Sequence, residues 1–114
     1  MSKPPDNPVD AKKWVKAAVE AGRYLFAPIH FPQRLRERKE TLDSVKAAIA
    51  RADRVEPYPS MPVCGGTCWR VEGMGTNGKR VAIGVELFLD DENKWTAFVT
   101  VIDLTRKTIK GRRR

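Results

Sequence analysis

Lys79-Arg80-Val81-Ala82-Ile83-Gly84-Val85-Glu86-Leu87-Phe88-Leu89 is the stretch whose reading decides the fold. Val81, Ile83, Val85, Leu87 and Leu89 alternate with other residues, which is the period of a strand with one buried face. Working outward, Thr67–Met74 and Lys94–Asp103 read the same way. Gly75-Thr76-Asn77-Gly78 and Asp90-Asp91-Glu92-Asn93 supply short turns between the three, so the pairing is antiparallel. Simple alternation along the last strand groups Trp95, Ala97, Val99 and Val101 on the buried side. It leaves Thr96, Phe98, Thr100 and Ile102 opposite, with Arg70, Glu72 and Glu86. A fourth strand fits residues 106–110.

Before Pro59 the period is helical. Asp10 is placed to cap a helix over 11–22, with Trp14, Ala17, Ala18 and Ala21 on one stripe and Gly22 at its end. Pro28 and Pro32 bracket Ile29-His30-Phe31, and a proline suits a first helical position. A second helix is therefore expected from Pro32, with His30 just ahead of it. Thr41 caps a third over 42–52, with Leu42, Val45 and Ile49 on one face and only a bend between the two. The expected fold is α+β, with N-terminal helices packed on a small antiparallel β-meander of three to four strands. Residues 1–9 read as a flexible arm, 10–110 as a single domain and 111–114 as a basic tail.

The 114 residues are 41% hydrophobic and 32% charged. That is enough for one small core and excludes a disordered chain. No apolar run reaches the roughly 20 residues of a membrane helix, and MSKPPDNPVDAKKW carries no apolar signal core. A cytoplasmic location without membrane association is the expectation. The net charge of +8 points to a polyanion, RNA first, or an acidic protein. Cys64 and Cys68 in CGGTC, with one histidine in the chain, are too few soft ligands for zinc. They read as reduced thiols at a turn and a strand start, and no metal or cofactor is expected.

The candidate chemistry sits in His30-Phe31-Pro32-Gln33-Arg34-Leu35-Arg36-Glu37-Arg38. Histidine exchanges protons near neutrality. Arg34 and Arg38, four apart, share a helix face and suit phosphate oxygens. Glu86 is the one acid in its apolar run, a second proton carrier or the partner of Arg70. Thr100 is a candidate phosphate ligand, and Trp69 and Trp95 are expected in the core.

H-x3-R-x3-R, the cap Thr41, Val45 and Ile49, and Val55-Glu56-Pro57-Tyr58 together resemble the bacterial domain-of-unknown-function family DUF 4258. Cys68–Gly73, Gly78–Val85 and Val99–Ile102 extend the resemblance over about 28–103. Pro32 and Ile102 depart from the family pattern, the second replacing a usual tyrosine. The family is thought to share the barnase/RelE/colicin-type (BECR) ribonuclease fold. The resemblance implies a metal-independent ribonuclease of toxin type, neutralised by an acidic antitoxin or immunity protein. Its catalytic candidates are His30, Arg34, Arg38, Glu86 and Thr100. Arg36, Arg70, Lys79, Arg80 and Lys107 are the candidate RNA contacts. A non-catalytic nucleic-acid-binding protein and a phage-type inhibitor of an acidic protein target are the alternatives.

Overall fold

The computed structural model describes residues 3–26, 29–102 and 104. Among them the order is α1 (Pro8–Glu20), β1 (Tyr24–Phe26), α2 (His30–Arg38), α3 (Leu42–Ala50), β2 (Arg54–Pro57), β3 (Thr67–Met74), β4 (Arg80–Asp90) and β5 (Asn93–Ile102). The fold is α+β, with three helices on a five-stranded mixed sheet ordered β1-β5-β4-β3-β2. The three long strands form the expected antiparallel meander. Two short strands extend it. β1 pairs parallel with β5 and β2 antiparallel with β3. Three or four residues are too few for an alternation to stand out, so neither was legible. The proposed strand at 106–110 and the 111–114 tail lie outside the described residues.

The helix ends differ from expectation for local reasons. Asn7, not Asp10, caps α1: its side chain accepts from the Asp10 amide at 2.9 Å, with Pro8 at the first helical position. The buried stripe accordingly turns to Ala11, Trp14, Val15 and Ala18. Gly22, with φ 76°, follows the C-cap Ala21 as anticipated. The preceding arm is docked: Pro5 is buried and its carbonyl accepts from Thr67 Oγ1 at 2.8 Å. Thr41 caps α3, accepting from the Ser44 amide at 3.1 Å. Between α2 and α3 the chain breaks fully, with Lys39 in the left-handed region at φ 57°. The Glu40 amide closes that end on the Leu35 carbonyl at 2.8 Å.

The helices cover one face of the sheet, where Val71, Ile83, Val85, Leu87, Phe98 and Val101 join Trp69, Trp14, Val45, Ile49 and Phe31 in the core. Phe98 corrects the simple alternation. Gly84 pairs with Thr100, but Val85 pairs with Phe98, so Val99 is an extra residue in β5. This bulge reverses the facing of the strand before it. Phe98 and Thr96 thereby enter the core, and Ala97 and Trp95 turn to the opposite face beside Glu86 and Phe88. Trp95 is half-buried there and stacks on Phe88 at 6.5 Å between ring centroids.

Among the described residues, chain between β2 and β3, not a helix, packs on that opposite face. A Cβ added to Gly84 would lie 2.9 Å from the Tyr58 ring, so the ring sits directly over this glycine. We call this the loop face.

Candidate functional site

Glu86 organises the loop face. It is 1% exposed in the middle of β4 and does not pair with Arg70. Its Oε1 accepts from the Val63 amide at 2.9 Å, and its Oε2 from the Cys64 and Gly66 amides at 2.8 Å each. A buried carboxylate needs such donors, and three backbone N–H groups supply them without a counter-charge. The close approach requires glycine at 66, where a Cβ would fall 2.0 Å from the Leu87 carbonyl oxygen. Glu86 therefore holds the 63–66 loop in place, and both of its oxygens are committed to that role.

The cysteines flank this carboxylate. Cys64 is exposed on the loop, and Cys68 is the register partner of Glu86 on β3. Burial, then the Glu86 charge, push both thiols up, which keeps them protonated and unreactive near neutrality.

The loop forms one wall of a cavity of about 510 Å³ lined by Leu25, Phe26, His30, Arg34, Val63, Cys64, Glu86, Ala97, Phe98, Val99 and Thr100. α2 supplies the opposite wall. β1 covers only Thr96–Phe98 of the β5 edge, and α2 follows directly and packs beside β5. Phe31 anchors it: fully buried, its ring lies 5.4 Å from both Phe26 and Phe98. This burial outweighs the proline rule at 31–32. The helix begins at His30, not at Pro32, and the proline falls in the first turn, where amides lack helical partners. With Phe31 and Leu35 turned inward, His30 and Arg34 share the adjacent stripe and reach the cavity.

Of the five catalytic candidates, the cavity thus gathers His30, Arg34, Glu86 and Thr100. Arg38 is not among its lining and lies 3.7 Å from Glu37. Arg34 also contacts Glu37, at 2.8 Å, but both side chains are about 40% exposed and such a pair exchanges readily. Arg34 holds the Glu37 carboxyl below the ordinary range, first through their hydrogen bond.

The RNA-contact candidates divide. Arg36 is exposed on α2 and Lys79 on the β3–β4 turn, and Lys107 lies outside the described residues. Arg70 and Arg80 belong to an acidic ladder at the far end of the loop face. Arg70 is an ion-pair partner of Glu72 at 2.9 Å, outside hydrogen-bond geometry, and donates to Glu56 at 3.3 Å. Arg80 donates to Glu72 and to Asp53, each at 2.6 Å. Burial would raise the Glu72 carboxyl, but the Arg80 hydrogen bond and both arginine charges outweigh it and hold it low. The Arg80 hydrogen bond likewise lowers Asp53, and those bonds push Arg80 further up. Three carboxylates here meet two guanidiniums, so neither Arg70 nor Arg80 is left over for an anion.

Tyr58 was missed as a neighbour of the site. Its ring packs over Gly84, the register partner of Thr100. Only the geometry of the covering segment reveals this, because no periodicity reports where a loop folds back.

Comparison of the chain with protein-family models, curated proteins and solved structures finds no match. Among the described residues no helix is long and apolar enough to cross a membrane.

Proposed function

We propose that the protein is a metal-independent ribonuclease acting through the cavity between α2 and β5. The observation that carries this reading is the convergence of the helical pair His30 and Arg34 with Thr100, distant from them in sequence, on one cavity. His30 takes the proton from a ribose 2′-hydroxyl. The freed oxygen attacks the adjacent phosphorus, the bond to the 5′-oxygen breaks, and that oxygen takes its proton from water at the cavity mouth. Arg34 exchanges Glu37 for the phosphate and stabilises the charge that builds on it. Thr100 donates to a phosphate oxygen. Glu86 keeps the loop wall in place and moves no proton.

The resemblance to DUF 4258 and the net charge of +8 support the same reading. They extend it to a toxin-type enzyme of the cytoplasm held in check by an acidic protein. A second reading, a non-catalytic RNA-binding protein, is favoured by one observation. With both Glu86 oxygens committed, the described residues lining the cavity offer His30 no other carboxylate as second proton carrier.

The test is incubation of the pure protein with total RNA, tRNA and ribosomes in EDTA, followed by end-group analysis. Cleavage leaving 2′,3′-cyclic phosphates is expected. Intact RNA in every case, with binding retained, gives the second reading its place.

A further inference from the structure

The polar groups account for only part of the cavity lining. Leu25, Phe26, Val63, Ala97, Phe98 and Val99, with the Cys64 thiol, make up the rest, more apolar surface than a phosphate needs. Its depth has a simple origin. In the register, Ala97 stands between Leu25 on β1 and Glu86 on β4. A methyl group between two longer side chains leaves a depression in the sheet. The committed Glu86 cannot swing into it, because three amides hold its oxygens. The volume, about 510 Å³, lies within the roughly 300–1,000 Å³ of small-ligand sites. Phe26 also lines the cavity; it follows Leu25 on β1, is 36% exposed, and packs its ring on Phe31.

We infer that the cavity takes one unpaired nucleobase of single-stranded RNA on its apolar lining, stacked against the exposed part of Phe26, while the neighbouring phosphate meets Arg34 and His30. The inference rests on the ribonuclease reading and names its substrate class. A flat ring with an apolar face and a charged phosphate a few bonds away matches a cavity whose lining combines apolar side chains with His30 and Arg34. A paired base cannot enter, because its faces are already stacked within the duplex. Charge alone predicts the opposite preference, since a duplex presents phosphates more densely than a single strand.

The test uses 2′-O-methyl oligoribonucleotides, which lack the attacking hydroxyl and cannot be cut by this chemistry. Affinity is titrated for a single strand and for its duplex over a range of salt. The single strand should bind at least about tenfold more tightly. Phe26→Ala should weaken it by about 5- to 100-fold, the range of one base–aromatic stack. The salt slope and duplex affinity should not change. Ala97→Leu, which fills the depression and leaves Phe26 packed on Phe31, should remove the single-strand preference in the same way. Equal or tighter duplex binding overturns the nucleobase site. So does a folded Ala97→Leu protein with unchanged single-strand affinity. If the parent still cuts RNA in either case, the ribonuclease reading survives without it. No binding of either oligonucleotide at low salt removes both, and leaves an acidic protein segment as the occupant of this apolar, arginine-edged cavity.

Discussion

The two ends of the loop face carry similar residues and use them in opposite ways. At the β2–β3 end, Arg70 and Arg80 are locked into Asp53, Glu56 and Glu72. At the α2–β5 end, Arg34 meets an exposed glutamate and opens onto a cavity beside His30 and Thr100. Net charge counts all these arginines equally. What separates them is the buried Glu72, which Arg70 and Arg80 share and Arg34 does not touch. Glu72, buried on the sheet, needs its guanidiniums, whereas Glu37 in water can release one. Arg34 is available to an anion because the acid beside it is solvated, whereas Arg70 and Arg80 share the buried Glu72.

The comparison breaks most visibly if arginines are removed from each end. Arg34→Ala should cut RNA cleavage by about 10²–10³, as for loss of one charge-stabilising donor, with folding unchanged. Arg70→Met should leave cleavage near the parent rate and lower stability on the order of 3 kcal/mol, because Glu72 loses a buried partner. Rates with total RNA and urea unfolding of both variants check this pair.

Glu86→Gln sharpens the boundary between the ends. The amide offers one acceptor oxygen and sets an NH2 group against backbone donors. Each amide left unpaired should cost about 1–3 kcal/mol. Amide hydrogen exchange should accelerate at 63–66 and stay unchanged at α2.

The ladder also predicts an acid response. The folded Glu72 carboxyl lies below its unfolded value, so its contribution is present above the ordinary carboxylate range and is lost as pH falls through the lower, folded value. Urea midpoints measured downward from pH 6 should decline through the carboxylate range. Arg70→Met should flatten that decline, whereas Arg34→Ala, whose partner is exposed, should alter it little.

The smallest expected effect lies just after α2. Lys39 adopts a left-handed conformation that glycine reaches without strain. Lys39→Gly should stabilise the protein by about 0.5–1 kcal/mol, read as a raised urea midpoint, without altering cleavage.

How much of this was legible in the sequence depended on how far each residue's neighbours lay along the chain. The long strands declared themselves by alternation, and Thr41 by its place before an apolar stripe. The bulge at Val99 did not: one inserted residue leaves both flanking segments alternating, and only pairing with β4 exposes the reversal that buries Phe98. α2 started two residues early because burial of Phe31, a tertiary effect, overrode a local rule. Within the candidate site, His30 and Arg34 were readable together as a helical pair. Their meeting with Thr100 depended on α2 packing at the β5 edge. The role of Glu86 depended on a loop folding back over the sheet, for which composition gives no signal beyond the glycines of CGGTC.

The central claim is that chemistry belongs to the α2–β5 end. It is tested most directly by one assay of RNA cleavage in EDTA on three folded proteins: the parent, His30→Ala and Arg70→Met. The account predicts a loss of about 10²- to 10⁴-fold for His30→Ala, the range for a positioned acid–base group, and near-parent rates for Arg70→Met. A His30→Ala protein that cuts as fast as the parent, or an Arg70→Met protein that is folded and inactive, would contradict it.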